Sequence, residues 1–167
     1  DILHDGFDCV IRTGALPEDG VIARPLGKLT MVNCASPHYL TRFGYPQSPD
    51  DLTSHAIVRY TPHLGVHPLG FEVASVNGVQ WFKSGSMLTV NSSENYLAAG
   101  LAGLGIIQIP RIAVREALRA GRLIEVLPGY RAEPLSLSLV YPQRRELSRR
   151  VNLFMQWLAG VMKEYLD

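Results

Sequence analysis

Short apolar segments of strand length alternate with amphipathic segments of helix length through all 167 residues. That alternation restricts the chain to an α/β fold, predicted to hold a largely parallel sheet. FDCVIR, residues 7–12, is an apolar run closed by Thr13-Gly14 and reads as a buried strand. VIARPLG breaks near Pro25-Leu26-Gly27, and KLTMVNCA is the next strand. Ser36-Pro37 then opens a short helix ending at Gly44, with serine as the cap and proline at the first helical position. SPDDLTSH repeats that signature, with Ser48 or Asp50 as cap.

AIVRYT is a strand, and Asn77-Gly78 between two alternating runs marks a hairpin, followed by the strand SMLTV. NSSENYLAAGLAGLG is a helix capped by Asn91 or Ser92, with Leu97, Leu101 and Leu104 on one face. Its Gly100 and Gly103 lower helicity but permit close packing against a sheet. Strand IIQIP, helix RIAVREALRAG ending at Gly121, and strand LIEVLP complete an alternating unit. LSLSLVY alternates strictly. The last helix carries a stripe of Leu147, Val151, Met155, Leu158, Met162 and Tyr165. Leu153, Phe154 and Trp157 widen that stripe and are expected to pack in a core.

Composition narrows the function classes. Apolar residues make up 47% and charged residues 19%, as in an ordinary globular protein. A net charge of +1 gives no electrostatic case for gripping nucleic acid or an anionic membrane. No apolar run approaches the length of a membrane span. Two cysteines, Cys9 and Cys34, make no disulfide framework and favour a reducing cytoplasm. The chain begins without Met on what reads as a helix end, which suggests a piece of something longer.

The chemistry-bearing groups are few. NCASPHYL places Cys34, Ser36 and His38 within five residues, the ingredients of a nucleophile and its base. Residues four apart across Pro37 are held together by no regular element, and nothing nearby in sequence orients His38 as triad logic requires. The expectation is a buried thiol, a capping serine and no catalysis. His63 and His67 lie between Pro62 and Pro68 with no third ligand nominated, so no metal site is expected. RRELSRR, residues 144–150, reads as a solvated helix start.

The order of these pieces resembles the C-terminal effector-binding domain of LysR-type transcriptional regulators. GFDCVIRTG, VIARPLGKLTMVNCASPHYL, PDDLTSHAIVRY, GLAGLGIIQIP, LRAGRLIEVLP, a strand ending VYP and the amphipathic last helix carry the likeness. Ala35-Ser36-Pro37-His38-Tyr39-Leu40 meets the family's Ala-Ser-Pro-x-Tyr-Leu, while Gly44-Tyr45-Pro46 departs slightly from its Gly-Pro pair. The resemblance implies a two-lobed fold like the type 2 periplasmic binding proteins, with a small molecule, expected to be anionic, held between the lobes. Residues 1–28 and 129–167 would form an incomplete first lobe, and residues 29–128 the second.

The same resemblance implies that DNA is met only through a winged helix-turn-helix that this chain lacks. It also implies that the full-length protein is a dimer or tetramer and that no cofactor is needed. Ligand contacts are expected at strand ends and helix starts: Arg12, Thr13, Ser36, Pro37, His38, Asn91, Ser92, Ile107 and Gln108. Arg12 is the candidate for a bidentate carboxylate contact. Two other classes compete, a solute-binding protein of a transport system and an α/β enzyme using Cys34 or His38.

Overall fold

A computed structural model of the chain describes residues 6–14, 20–61, 70–143 and 147–166, apart from the side chains of Ser86 and Met87. His63 and His67, and the arginines at 144 and 145, lie outside the described residues. The chain divides into two compact units, Asp1–Thr30 with Pro134–Asp167, and Met31–Glu133.

The discontinuous unit holds β1 (Val10–Thr13), β2 (Val21–Leu29), β10 (Leu135–Pro142) and α4 (Arg149–Met162). Its sheet runs β1-β10-β2 and is antiparallel throughout, against the parallel expectation. The predicted break at Pro25-Leu26-Gly27 is a β-bulge. Ser138 pairs with Pro25 and Leu137 with Gly27, which leaves Leu26 as the extra residue. Proline is tolerated there because β2 is an edge strand with one ladder partner. β1, expected to be buried, is the opposite edge, and Ile11, Arg12 and Thr13 are exposed. LSLSLVY does not show the half-buried alternation its sequence suggests. Leu137, Ser138, Leu139 and Val140 are all buried, since β10 is the central strand. In α4 only Met155 is buried among the described residues. Leu153, Phe154 and Trp157, expected in a core, stay exposed, Trp157 at 61%.

The continuous unit is built on β3 (Met31–Ala35), β4 (Ala56–Tyr60), β7 (Gly85–Val90), β8 (Ile107–Pro110) and β9 (Ile124–Glu125). β8 and β9 flank β3, both antiparallel to it, and β4 pairs with β7 in parallel. A parallel bridge, Ile57 to Ile106, joins the two ladders. Four strands therefore share a direction and β3 alone runs against them. The approach of β8 to β4 requires Gly105, because a Cβ there would lie 2.6 Å from the Ala56 carbonyl oxygen.

Alternate strand residues feed two cores, one on each face of this sheet. Val32, Cys34, Val58, Ile107 and Ile109 pack with Tyr96 and Ala99 of α2 (Ser93–Leu101) and with Val114 and Ala117 of α3 (Arg111–Arg119). On the other face, Ala35, Ile57 and Ile106 pack with Tyr39 and Leu40 of α1 (Pro37–Phe43). Leu52 of a 3-10 helix (Pro49–Ser54) joins them, as do Phe71 and Val73 of the hairpin β5 (Phe71–Ser75) and β6 (Gly78–Phe82). The hairpin turns one residue earlier than predicted. Ser75 pairs with Gly78, so Val76-Asn77 is the loop and Gly78 takes the positive φ of 104°.

Both predicted helix starts form. Ser36 caps α1 by accepting the Tyr39 N–H at 3.2 Å, and Gly44 ends it. The second start gives the 3-10 helix, where Asp51 reaches back to accept the N–H groups of Gln47 and Ser48 at 2.8 and 2.9 Å. α2 departs from its expected leucine face: Tyr96, Ala99 and Gly100 are buried, and Leu104 lies beyond the helix, exposed. Gly100 does permit close packing, since a Cβ there would meet the Ile107 side chain at 2.6 Å.

Candidate ligand-binding residues

The reversed direction of β3 separates residues that the sequence groups together. Ser36 follows β3 and so stands beside the start of β8. A Cβ on Gly103, just past α2, would lie 3.1 Å from Ser36 Oγ and 3.2 Å from the His38 ring. Asn91 and Ser92 precede the other end of α2. The Ser36-Pro37-His38 turn and the Asn91-Ser92 turn thus occupy opposite ends of one helix. Arg12 and Thr13, both exposed, belong to the other unit.

Local chemistry differs among these positions. Ser36 is buried and its hydroxyl accepts the cap hydrogen bond, whereas Pro37 and His38 are exposed. Ser92 accepts the Asn95 N–H at 3.3 Å and donates its hydroxyl to Glu94 at 2.6 Å. That hydrogen bond is the main reason the Glu94 carboxyl sits below its ordinary range. The free N–H groups at the start of α2 therefore already face a carboxylate of the same helix, which opposes an anion at that point.

Ile107 is fully buried in the core under Gly100. Gln108 is occupied in full. Its Oε1 accepts the Glu72 N–H at 2.9 Å, and its Nε2 donates to the Glu72 carbonyl at 2.8 Å and to Asn33 Oδ1 at 2.9 Å. The Gln108 N–H donates to the Tyr96 hydroxyl at 2.8 Å. Asn33, fully buried, donates from Nδ2 to the carbonyls of Leu127 and Tyr130 at 3.2 and 2.9 Å. This network ties β3 and β8 to the hairpin and to the 127–130 turn.

Leu127 is the one non-glycine residue with positive φ among the described residues, at 49°. Its turn, with Tyr45, Pro46 and Gln47, lines a shallow cavity of about 230 Å³. Sequence reading missed Asn33, although a lone amide inside the apolar run MVNCA is itself a signal, because a buried amide requires partners.

Cys34 is fully buried and desolvation pushes its thiol up to about 12, so no thiolate forms near neutral pH. That opposes the nucleophile reading. No group of three or more metal-ligating side chains occurs among the described residues. No described helix is long and apolar enough to cross a membrane.

Comparison with known proteins decides the family. The profile described as LysR substrate binding domain matches residues 1–163. The chain is 99% identical over all 167 residues to YhjC, an HTH-type transcriptional regulator of Escherichia coli (strain K12), and spans 56% of that protein. It is 32% identical to AaeR, an HTH-type transcriptional activator of the same organism, across 98% of this chain and 52% of that one. Among solved structures, the regulatory domain of CrgA, a LysR-type regulator from Neisseria meningitidis, superposes with a TM-score of 0.82 at 25% identity, covering 96% of this chain and 78% of that one. The chain spans about half the length of the curated relatives it matches. Its mixed α/β fold is the two-lobed, type 2 periplasmic-binding-like fold of these regulatory domains, and the chain belongs to the LysR substrate binding domain family.

Proposed function

We propose that this chain is the effector-sensing part of a transcriptional regulator, binding a small molecule and converting occupancy into a change in how the full-length protein meets DNA. The observation that carries the reading is the match to a ligand-binding domain over residues 1–163, on a chain 99% identical to part of an HTH-type regulator. A ligand shifts a conformational equilibrium only by its different affinities for the two states, so the domain needs two arrangements and no chemistry. DNA contact belongs to a separate helix-turn-helix segment, and pairing of half-sites requires a dimer or a higher oligomer in a reducing cytoplasm.

Residues 1–28 with 129–167, and residues 29–128, are the two lobes in this reading. The effector is a small anion. Arg12, exposed on edge strand β1, is the proposed contact best placed to meet a solvent-borne anion.

The test is a screen of small carboxylates, amines and neutral solutes against the full-length polypeptide. Melting temperature and retention of operator DNA are read together. At least one carboxylate should raise the melting temperature and change DNA retention. Silence of every class in both measurements would sink the sensor reading. A carboxylate that stabilises Arg12→Ala as much as the parent protein removes Arg12 from the site.

A further inference from the structure

The hairpin of β5 and β6 has two outer edges, and the fold fills one of them. In an antiparallel pair, residues alternate between bonding across the ladder and turning their backbone groups outward. Glu72 and Ala74 turn outward on β5, and both are met. Gln108 accepts the Glu72 N–H at 2.9 Å and donates to its carbonyl at 2.8 Å, and the Arg131 carbonyl accepts the Ala74 N–H at 2.8 Å. Their register partners on β6 are Trp81 and Val79. These two therefore turn their N–H and C=O groups outward on the opposite edge, and among the described residues nothing bonds to them there.

An edge strand is ordinarily guarded by a charge, a proline or a bulge. β6 reads GVQWF and has no charge and no proline, and its ladder with β5 runs without a register shift. The strand is also open to solvent: Val79 is 37% and Trp81 46% exposed, although both are apolar. Two residues apart, they share one face of the hairpin.

The sequence of β6 is complementary to itself. A second β6 laid antiparallel about a two-fold axis through Gln80 puts each Val79 opposite Trp81 of the other copy. Each such pair exchanges both of its backbone hydrogen bonds, so every outward N–H and C=O of Val79 and Trp81 is used. The side chains then meet as an aromatic against a β-branched residue, a favourable cross-strand combination. Neither strand brings a charge against its like, and Lys83 falls opposite Asn77.

We propose that β6 is an interface between two copies of this chain, which join their hairpins edge to edge into one continuous antiparallel sheet. The interface needs no effector and is independent of the sensor reading.

The experiment traps the pairing in the full-length polypeptide. On the axis, the two Gln80 residues form a pair without backbone bonds, with Cα atoms about 4.5 Å apart and within reach of a disulfide. Gln80 is exposed, so Gln80→Cys leaves the core intact. Val76, in the loop and fully exposed, would stand far from its counterpart, which makes Val76→Cys the control. Covalent dimer is followed on non-reducing gels under a mild oxidant, with the parent as background for the native thiols. Gln80→Cys should cross-link about tenfold faster than Val76→Cys, and adding Val79→Lys to guard the edge should slow it about tenfold. Val79→Lys alone should melt as the parent does, because Val79 is exposed, so the slowing reports the edge and not unfolding.

Equal rates at residues 76 and 80 overturn the two-fold pairing, as does a Gln80→Cys rate indifferent to Val79→Lys. Amide hydrogen exchange on the parent should show the Val79 and Trp81 N–H groups protected. If they are protected while Gln80→Cys fails to cross-link, an extended segment of another kind holds the edge and the second copy is ruled out.

Discussion

Phe71 and Trp157 show how differently the two units are finished. In the continuous unit Phe71 is fully buried, and apolar clusters close over both faces of the sheet. In the discontinuous unit the sheet has three strands, α4 buries Met155, and Leu153, Phe154, Trp157 and Val161 face outward. The difference lies in how many elements each sheet has to cover it: α1, α2, α3, a 3-10 helix and a hairpin for one, and α4 for the other among the described residues. An amphipathic stripe specifies which face of a helix seeks burial but supplies nothing to bury it against.

The largest expected effect tests the closed core. Phe71→Ala should cost about 3–5 kcal/mol, because the surrounding side chains cannot fill the hole. Amide hydrogen exchange should show the loss across residues 31–133. Protection lost equally in residues 134–143 would break the comparison by showing one cooperative unit. Gly105→Ala comes next, at about 1–3 kcal/mol, since the added Cβ would press on the Ala56 carbonyl and part β8 from β4. Urea denaturation measures it, and a neutral result would mean that the two ladders are not rigidly joined.

A smaller effect depends on pH. His55 is buried, with Nδ1 3.1 Å from the Tyr39 hydroxyl, and desolvation holds its pKa below the ordinary value, against the opposing pull of Asp51. The folded chain therefore binds fewer protons than the unfolded chain below about pH 6.5. Stability should fall as pH drops through that value toward the lower folded pKa. His55→Gln should flatten that stretch of the melting profile, and an unchanged slope would show that His55 is not protected. The smallest effect belongs to the open face. Trp157→Ser should change stability by no more than about 0.5 kcal/mol, checked by urea denaturation. A loss of several kcal/mol would mean that Trp157 is packed after all.

Much of this could be read from residues alone. Ser36-Pro37 and Gly44 bracket α1 as their backbone preferences require, and Ser92 accepts the cap hydrogen bond at the start of α2. Gly100 meets Ile107 as a small residue on a sheet-packing helix should. Asn77-Gly78 announced the hairpin but misplaced its turn by a residue, because a positive-φ glycine serves either as a turn residue or just after one. The leucine stripe of α2 misled, because Tyr96 buries more surface and its hydroxyl has a partner in the Gln108 N–H.

The candidate contacts were harder to place. Every one of Arg12, Ser36, Asn91 and Gln108 stands in or beside a strand or at a helix start, as predicted from sequence. Whether two strand ends lie on the same side of a sheet depends on strand direction, and side-chain period is the same for parallel and antiparallel pairs. The alternation of apolar and polar residues by itself determined the elements, the α/β class and the buried thiol of Cys34. Only the tertiary structure decided that β3 runs against its neighbours and that Gln108 is spent on Asn33 and Glu72. Those outcomes rest on contacts between residues far apart in the chain, and local preference carries no information about which partners a fold will bring.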